Sequence, residues 1–219
     1  MAIKGKFKIT CPFCDHEFEG DFWTIVRGDR DFKLKEMLVQ GEFDLFMCPL
    51  CKNVFVQEET FIYHDRKMDL FVFVLPSAYI ADKEKWTKKM EDDYGLVKET
   101  MDKEFSGQPF ILFGAGALRD LLLRDRDIEE ETEVAEFMAR DLNMKISPMK
   151  AGFAREHDFP LAVPYIGDEI NHNNILKAVN KIYSANKSLP KLNKFLEFLK
   201  LAESQDLNFL KNENKNTQE

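Results

Sequence analysis

The chain has little of several things, and each shortage excludes a class of protein. It has no long apolar run: the longest, Leu70 to Ile80, is broken by Pro76 and Ser77 and falls well short of the roughly 20 residues a spanning helix needs. No membrane segment is expected. The opening MAIKGKFKIT alternates lysine with apolar residues and lacks the apolar centre of a signal peptide. The expected compartment is therefore the cytoplasm, where thiols stay reduced. Positive charge is in deficit, with 31 basic against 39 acidic side chains and a formal net charge of −8. That excludes a basic architectural protein that holds nucleic acid by bulk charge. Only 10 glycines, 8 prolines and 4 cysteines occur in 219 residues, too few for a collagen-like chain or a disulfide-dense miniprotein. G-x-S-x-G, H-E-x-x-H and a supportable nucleophile triad are also missing.

Phenylalanine, by contrast, is abundant. Eleven of the 20 lie before residue 74, which points to a phenylalanine-rich N-terminal sheet. From Ile3 to Val74 the pattern is mainly period two. Phe7 and Ile9 alternate with Lys6 and Lys8 as in a strand. Glu17 to Val26 is a second strand, in which Gly20 signals a bulge or a close approach. Phe32 to Gln40 is predicted helical, with Leu34, Met37 and Leu38 on one face and Gly41 as its stop. Phe43 to Met47, Val54 to Tyr63 and Met68 to Leu75 are predicted strands, the last two joined by a turn at His64-Asp65-Arg66-Lys67. After Pro76 the texture becomes helical. Lys83 to Phe105, Ala117 to Leu123, Glu129 to Leu142, Asn174 to Ser184 and Pro190 to Ala202 are predicted helices. Residues 143–170, punctuated by Pro148, Gly152, Pro160, Pro164 and Gly167, read as irregular. The polar NENKNTQE end reads as frayed.

All four cysteines fall in two matching pairs, Cys11-Pro12-Phe13-Cys14 and Cys48-Pro49-Leu50-Cys51, each followed at the same distance by Phe18 or Phe55. Two residues between cysteines let a tight turn aim both sulfurs at one cation, and proline presets that turn. Two such turns supply four thiolates, the ligand set of a tetrahedral structural Zn²⁺. The 33 residues between the pairs are no obstacle, because doubling a loop costs only about 0.6 kcal/mol. Structural zinc supplies about 10–16 kcal/mol in small peptides. Iron fits the same four sulfurs and is the second choice. A redox dithiol rarely comes with a matching second copy, and the setting is not the strand-to-helix setting of a thioredoxin-like site. Four cysteines leave no open position for water, against a catalytic metal.

Residues 7–78 resemble the CpXC domain, a family named for two Cys-Pro-x-Cys motifs. The carrying residues are the two quoted pairs, supported by the strand ending in Trp23, the segment Phe61-Ile62-Tyr63-His64-Asp65 and the apolar strand ending at Leu75-Pro76. A weaker likeness extends to 110–142, where the resemblance implies a helix pair. Knuckles of this type often place glycine after the second cysteine, where Asp15 and Lys52 stand here. The resemblance supports the metal and carries no reaction with it.

Other features have plainer readings. His64 beside Asp65 reads as a turn residue rather than a proton shuttle. His16 reads as a neighbour of the thiolates rather than a ligand. Gly114-Ala115-Gly116 lacks the third glycine of a dinucleotide loop, since Arg119 holds that place, and reads as a flexible helix entry. The acidic run Asp125, Asp127, Glu129, Glu130, Glu131 and Glu133 reads as a complement to the positive end of the following helix, with a basic partner or divalent cation as the alternative. Glu156-His157-Asp158 has no matching histidine for a zinc-hydrolase motif.

The fold class expected is α+β: an antiparallel zinc-ribbon-like β domain over 1–78, then a mainly helical domain over 79–219. Cys11, Cys14, Cys48 and Cys51 are expected to hold one structural Zn²⁺. The function expected is a non-catalytic module that docks a protein partner. Nucleic-acid binding along Lys4, Lys6, Lys8, Arg27, Arg30, Lys33 and Lys35 is the alternative, and an enzyme with a pocket between the two regions is the third reading.

Overall fold

The computed structural model describes residues 2–100, 108–201 and 207–210. The chain is α+β and falls into two compact units, Met1–Leu123 and Arg124–Glu219. In the first, β1 (Ile3–Thr10) and β2 (Glu17–Arg27) form a hairpin around the first cysteine pair. Helix α1 (Phe32–Gln40) follows, with Leu34, Leu38 and Val39 buried. It stops at Gly41 with φ 76°, where the Gly41 and Glu42 N–H groups donate to Leu38 and Met37 carbonyls, as an αL stop requires. The short strands β3 (Leu45–Met47) and β4 (Val54–Val56) pair with each other around the second cysteine pair. Strands β5 (Phe61–Asp65) and β6 (Leu70–Leu75) complete the stretch.

The main sheet has the order β1-β2-β5-β6-β7, with β7 at Phe110–Phe113. It is mixed rather than antiparallel: β2 runs parallel to β5 and β6 parallel to β7. The division expected at residue 78 therefore falls inside the first unit, whose sheet takes its fifth strand from beyond that point. Every residue of β6 is buried, which explains its unbroken apolar run. Phe71, Phe73 and Leu75 of β6 cluster with Met90 and Tyr94 of α2 (Lys83–Thr100). The part of the expected helix beyond Thr100, the C-terminal NENKNTQE and Ala202 lie outside the described residues.

Two glycines are required by space. A Cβ on Gly28 would meet the Tyr63 ring and hydroxyl and lie 2.8 Å from Asp65 Oδ2. A Cβ on Gly20 would meet Ile9 and lie 3.0 Å from the Phe46 ring. Gly20 pairs regularly with Phe7, and the irregular step lies at Ile3/Lys4, so close approach is the correct reading of Gly20.

Helix α3 (Ala115–Asp141) is one continuous element where two helices were expected. Leu118, Leu122, Asp125, Ile128, Thr132, Ala135 and Ala139 are all buried at steps of three and four. The stripe passes through the acidic run because Asp125 occupies a core position. In the second unit Asp125 accepts from Arg155 at 2.9 Å, both side chains being buried. Glu131 Oε1 accepts from the Leu192 N–H. The acidic run is thus inside a helix, not at its positive end, and the dipole reading is corrected.

Residues 145–165 are not irregular. Strands β8 (Lys145–Pro148) and β9 (Ala162–Tyr165) pair antiparallel around α4 (Ala151–His157). Their prolines fit because each strand of a lone pair has an open edge. Helices α5 (His172–Ala185) and α6 (Pro190–Leu201) close the unit over Ile175, Val179, Ile182, Leu192, Phe195, Leu196 and Leu199. No helix among the described residues is long and apolar enough to cross a membrane.

Candidate metal centre

The two Cys-Pro-x-Cys turns have the same backbone. The Asp15 N–H donates to the Cys11 carbonyl and the Cys11 N–H to the His16 carbonyl, both at 3.0 Å. The Lys52 N–H donates to the Cys48 carbonyl at 3.1 Å and the Cys48 N–H to the Asn53 carbonyl at 3.0 Å. Each turn closes through a left-handed residue, Asp15 at φ 56° and Lys52 at φ 63°. The side chains differ where glycine would be at ease, yet both backbones reach the same geometry.

These turns bring the four sulfurs together. Cys11 and Cys51 Sγ are 3.7 Å apart, as are Cys14 and Cys48 Sγ, and all four lie within 4.8 Å of one another. A tetrahedron with metal–sulfur bonds of about 2.3 Å has edges of about 3.8 Å, so the set fits such an ion. The 3.7 Å pairs are too long for disulfides, whose S–S bond is about 2.05 Å. Cys11 and Cys48 are fully buried against Ile9 and Phe55, with Phe18 and Phe46 packed alongside. His16 stacks on Phe18 with ring centroids 6.2 Å apart and is not part of the ligand cluster.

As free thiols the cluster is electrostatically divided. Burial raises the Cys48 pKa, but N–H donors at Cys51 and Leu50 outweigh it and bring the thiol down to about 6. At Cys14 the His16 N–H lowers the pKa, but burial and the neighbouring sulfurs of Cys11, Cys51 and Cys48 push it up to about 12. One thiolate forms readily and discourages the next. A divalent cation reverses that order, because its charge favours every thiolate at once.

A family model described as CpXC protein matches residues 9–132. The chain belongs to the CpXC family. The match covers more than half of the chain and runs past the cysteine turns through β7 into α3. No curated protein matches the chain, and no solved structure matches it. In this CpXC protein both Cys-Pro-x-Cys turns, Cys11-Pro12-Phe13-Cys14 and Cys48-Pro49-Leu50-Cys51, lie inside the matched range and supply the clustered sulfurs.

The other singled-out residues stand elsewhere. His64 lies in strand β5, not a turn; it is buried, stacks on Phe71 and accepts the Gly28 N–H through its carbonyl at 2.8 Å. The turn comes after Asp65, whose Oδ1 accepts the Met68 N–H. Gly114 takes φ 83° and donates its N–H to Leu75, leading directly into α3. Along the hairpin, Lys4 lies 3.8 Å from Asp21, Lys6 3.9 Å from Glu19, and Lys8 contacts Glu17. Arg30 and Lys35 also lie beside acids, Asp29 and Asp65.

Two features were not picked out from the sequence. Asp44 lines a cavity of about 210 Å³ with Leu38, Phe43, Glu58 and Arg119. Burial and then the Glu58 charge push its carboxyl up to about 7. The second is the outer face of the β3–β4 ribbon, where Leu45, Met47, Val54 and Val56 are all exposed. Their alternation about the second cysteine pair was the available signal.

Proposed function

We propose that Cys11, Cys14, Cys48 and Cys51 hold one structural Zn²⁺, and that the metal-fixed ribbon serves as a non-catalytic docking surface for a protein partner in the cytoplasm. The supporting observation is the 3.7 Å spacing of sulfurs from two separate turns. Four thiolates fill a tetrahedral ion, so its contribution is folding energy rather than activation of water. Zinc is preferred to iron because a closed structural site requires no redox change.

The docking role follows from what the metal holds in place. A lone two-stranded ribbon is marginal in water, and here its two strands join through a cysteine turn. Each cysteine turn carries one exposed apolar side chain, Phe13 between β1 and β2 at 61% and Leu50 between β3 and β4 at 65%. The proposal does not extend to nucleic acid, because five of the seven candidate basic residues lie beside acids.

The test is affinity capture from native lysate with the wild-type chain and with Cys48→Ser. The reading predicts a protein retained by the wild type and lost with the variant. Repeated recovery of the bait chain alone, with no tagged-to-untagged copy exchange, counts against it.

A further inference from the structure

Opposite charges share one cavity of the first unit without meeting. Asp44, Glu58 and Arg119 line a space of about 210 Å³. Among the described residues no ion pair joins the Arg119 guanidinium to either carboxylate, although charges of opposite sign with room to move attract one another across such a gap. Two of the three are tied elsewhere. Arg119 donates from Nε to the Val39 carbonyl at 2.7 Å, which leaves its two Nη groups uncommitted. Glu58 accepts both the N–H and the hydroxyl of Ser77 through Oε2, which leaves Oε1. Asp44 is not tied at all: its Oδ1 is buried and meets no hydrogen-bond donor among the described residues.

The remaining side chains at the cavity are apolar. Leu38 comes from α1, Phe43 from the residues before β3, Leu45 from β3 and Val56 from β4. Leu45 and Val56 stand opposite each other, so they project on the same side of the ribbon and together form one wall.

We propose that this cavity binds one free α-amino acid with an apolar side chain. Its carboxylate meets the Arg119 Nη groups, its ammonium meets Asp44 and Glu58, and its side chain lies against Leu38, Phe43, Leu45 and Val56. The inference goes beyond the protein-docking reading and does not depend on it. Charge selects a zwitterion. A simple anion entering here faces two carboxylates, and a simple cation faces a guanidinium. A molecule with both signs a few bonds apart meets each with its opposite. A guanidinium suits a carboxylate because two N–H groups can donate side by side, and an ammonium brings the Asp44 carboxylate the donors that the protein does not. Size selects a small molecule, since pockets for drug-sized ligands run to about 300–1,000 Å³. The apolar wall selects the side chain, because a polar one would lose its hydrogen bonds to water and find none there.

The experiment is isothermal titration of the full, metal-loaded chain with L-leucine at pH 8. Burial and the Glu58 charge push the Asp44 pKa up to about 7, so its carboxylate predominates at that pH. The same titration is run with 4-methylpentanoate, which lacks the ammonium, with 3-methylbutylamine, which lacks the carboxylate, and with L-aspartate. Two variants are included: Asp44→Asn, which keeps the shape without the charge, and Arg119→Met. L-Leucine is expected to saturate one site per wild-type chain. Each of the other three compounds, and each variant with L-leucine, is expected to bind at least about tenfold more weakly. Circular dichroism and bound metal matching the wild type show that a variant has folded. Failure of L-leucine to saturate a site at millimolar concentrations overturns the proposal. Equal binding of 4-methylpentanoate, 3-methylbutylamine or L-aspartate overturns it too, as does unchanged affinity in either folded variant. If Arg119→Met does not fold, Asp44→Asn decides alone, because the Asp44 side chain makes no hydrogen bond whose loss could unfold the chain.

Discussion

Asp125 and Arg155 form a buried ion pair in which one carboxylate meets two guanidinium nitrogens, Nε at 2.9 Å and Nη2 at 3.0 Å. Their side chains are 1% and 3% exposed. Removing one partner leaves the other charged and dry. Asp125→Ala is therefore expected to cost about 3–5 kcal/mol, read as a fall in the urea unfolding midpoint of the second unit. Replacing both residues by apolar ones of similar size should recover most of that loss. A loss in the double variant as large as in Asp125→Ala would contradict this account of the pair.

Lys52 and Asp15 occupy equivalent left-handed positions in the two knuckles. A lysine pays more for that backbone than an aspartate. Lys52→Gly is expected to raise stability by about 0.5–1 kcal/mol, with a smaller change for Asp15→Gly. Thermal melts of the metal-loaded chains check the order; a destabilised Lys52→Gly contradicts it.

Asp44 carries a pH dependence of definite sign. Its folded pKa is raised to about 7 by burial and then by Glu58, while an unfolded aspartate titrates near its ordinary value of about 4. Its Oδ1 is buried and meets no hydrogen-bond donor among the described residues. The folded chain keeps the proton that the unfolded chain loses. Stability from this group is full below pH about 4 and declines as pH rises through about 7. Asp44→Asn keeps the shape and cannot ionise. Relative to wild type, it should gain melting temperature as pH rises from about 4 to about 7. An unchanged difference across that range would show that Asp44 does not titrate there.

Gly28 sits against the Tyr63 ring and Asp65. Gly28→Ala is expected to lose about 2 kcal/mol or more, since neither strand can withdraw without breaking the Gly28-to-His64 hydrogen bond. Gly41→Ala, where a Cβ meets open space but φ is 76°, should lose less, about 1 kcal/mol. Urea unfolding of the two variants gives the comparison, and equal losses would contradict it.

The legible parts of the sequence are those whose signal is local. The cysteine pairs, the α1 stripe with its Gly41 stop, and the α6 positions Leu192, Phe195, Leu196 and Leu199 needed no distant partner to be read. The sheet's order was not legible, because period two marks Ile25 and Ile62 as strand residues without saying that they pair in parallel. Helix α3 was divided because Asp125 looked like surface charge, and Arg155, which lets it be buried, lies 30 residues away. Strands β8 and β9 were hidden by Pro148 and Pro164, read as breaks though they stand on open edges. The clustering of the four cysteines was legible from spacing, but the exposed side of the β3–β4 ribbon emerged only once the register of the two strands was fixed.

The most direct measurement of the central claim is elemental analysis of the natively purified chain, joined to thiol alkylation before and after chelation. The account predicts one zinc per chain and four cysteines that resist alkylation until the chelator removes it. Chains free of metal, or cysteines joined as disulfides in that preparation, would contradict it.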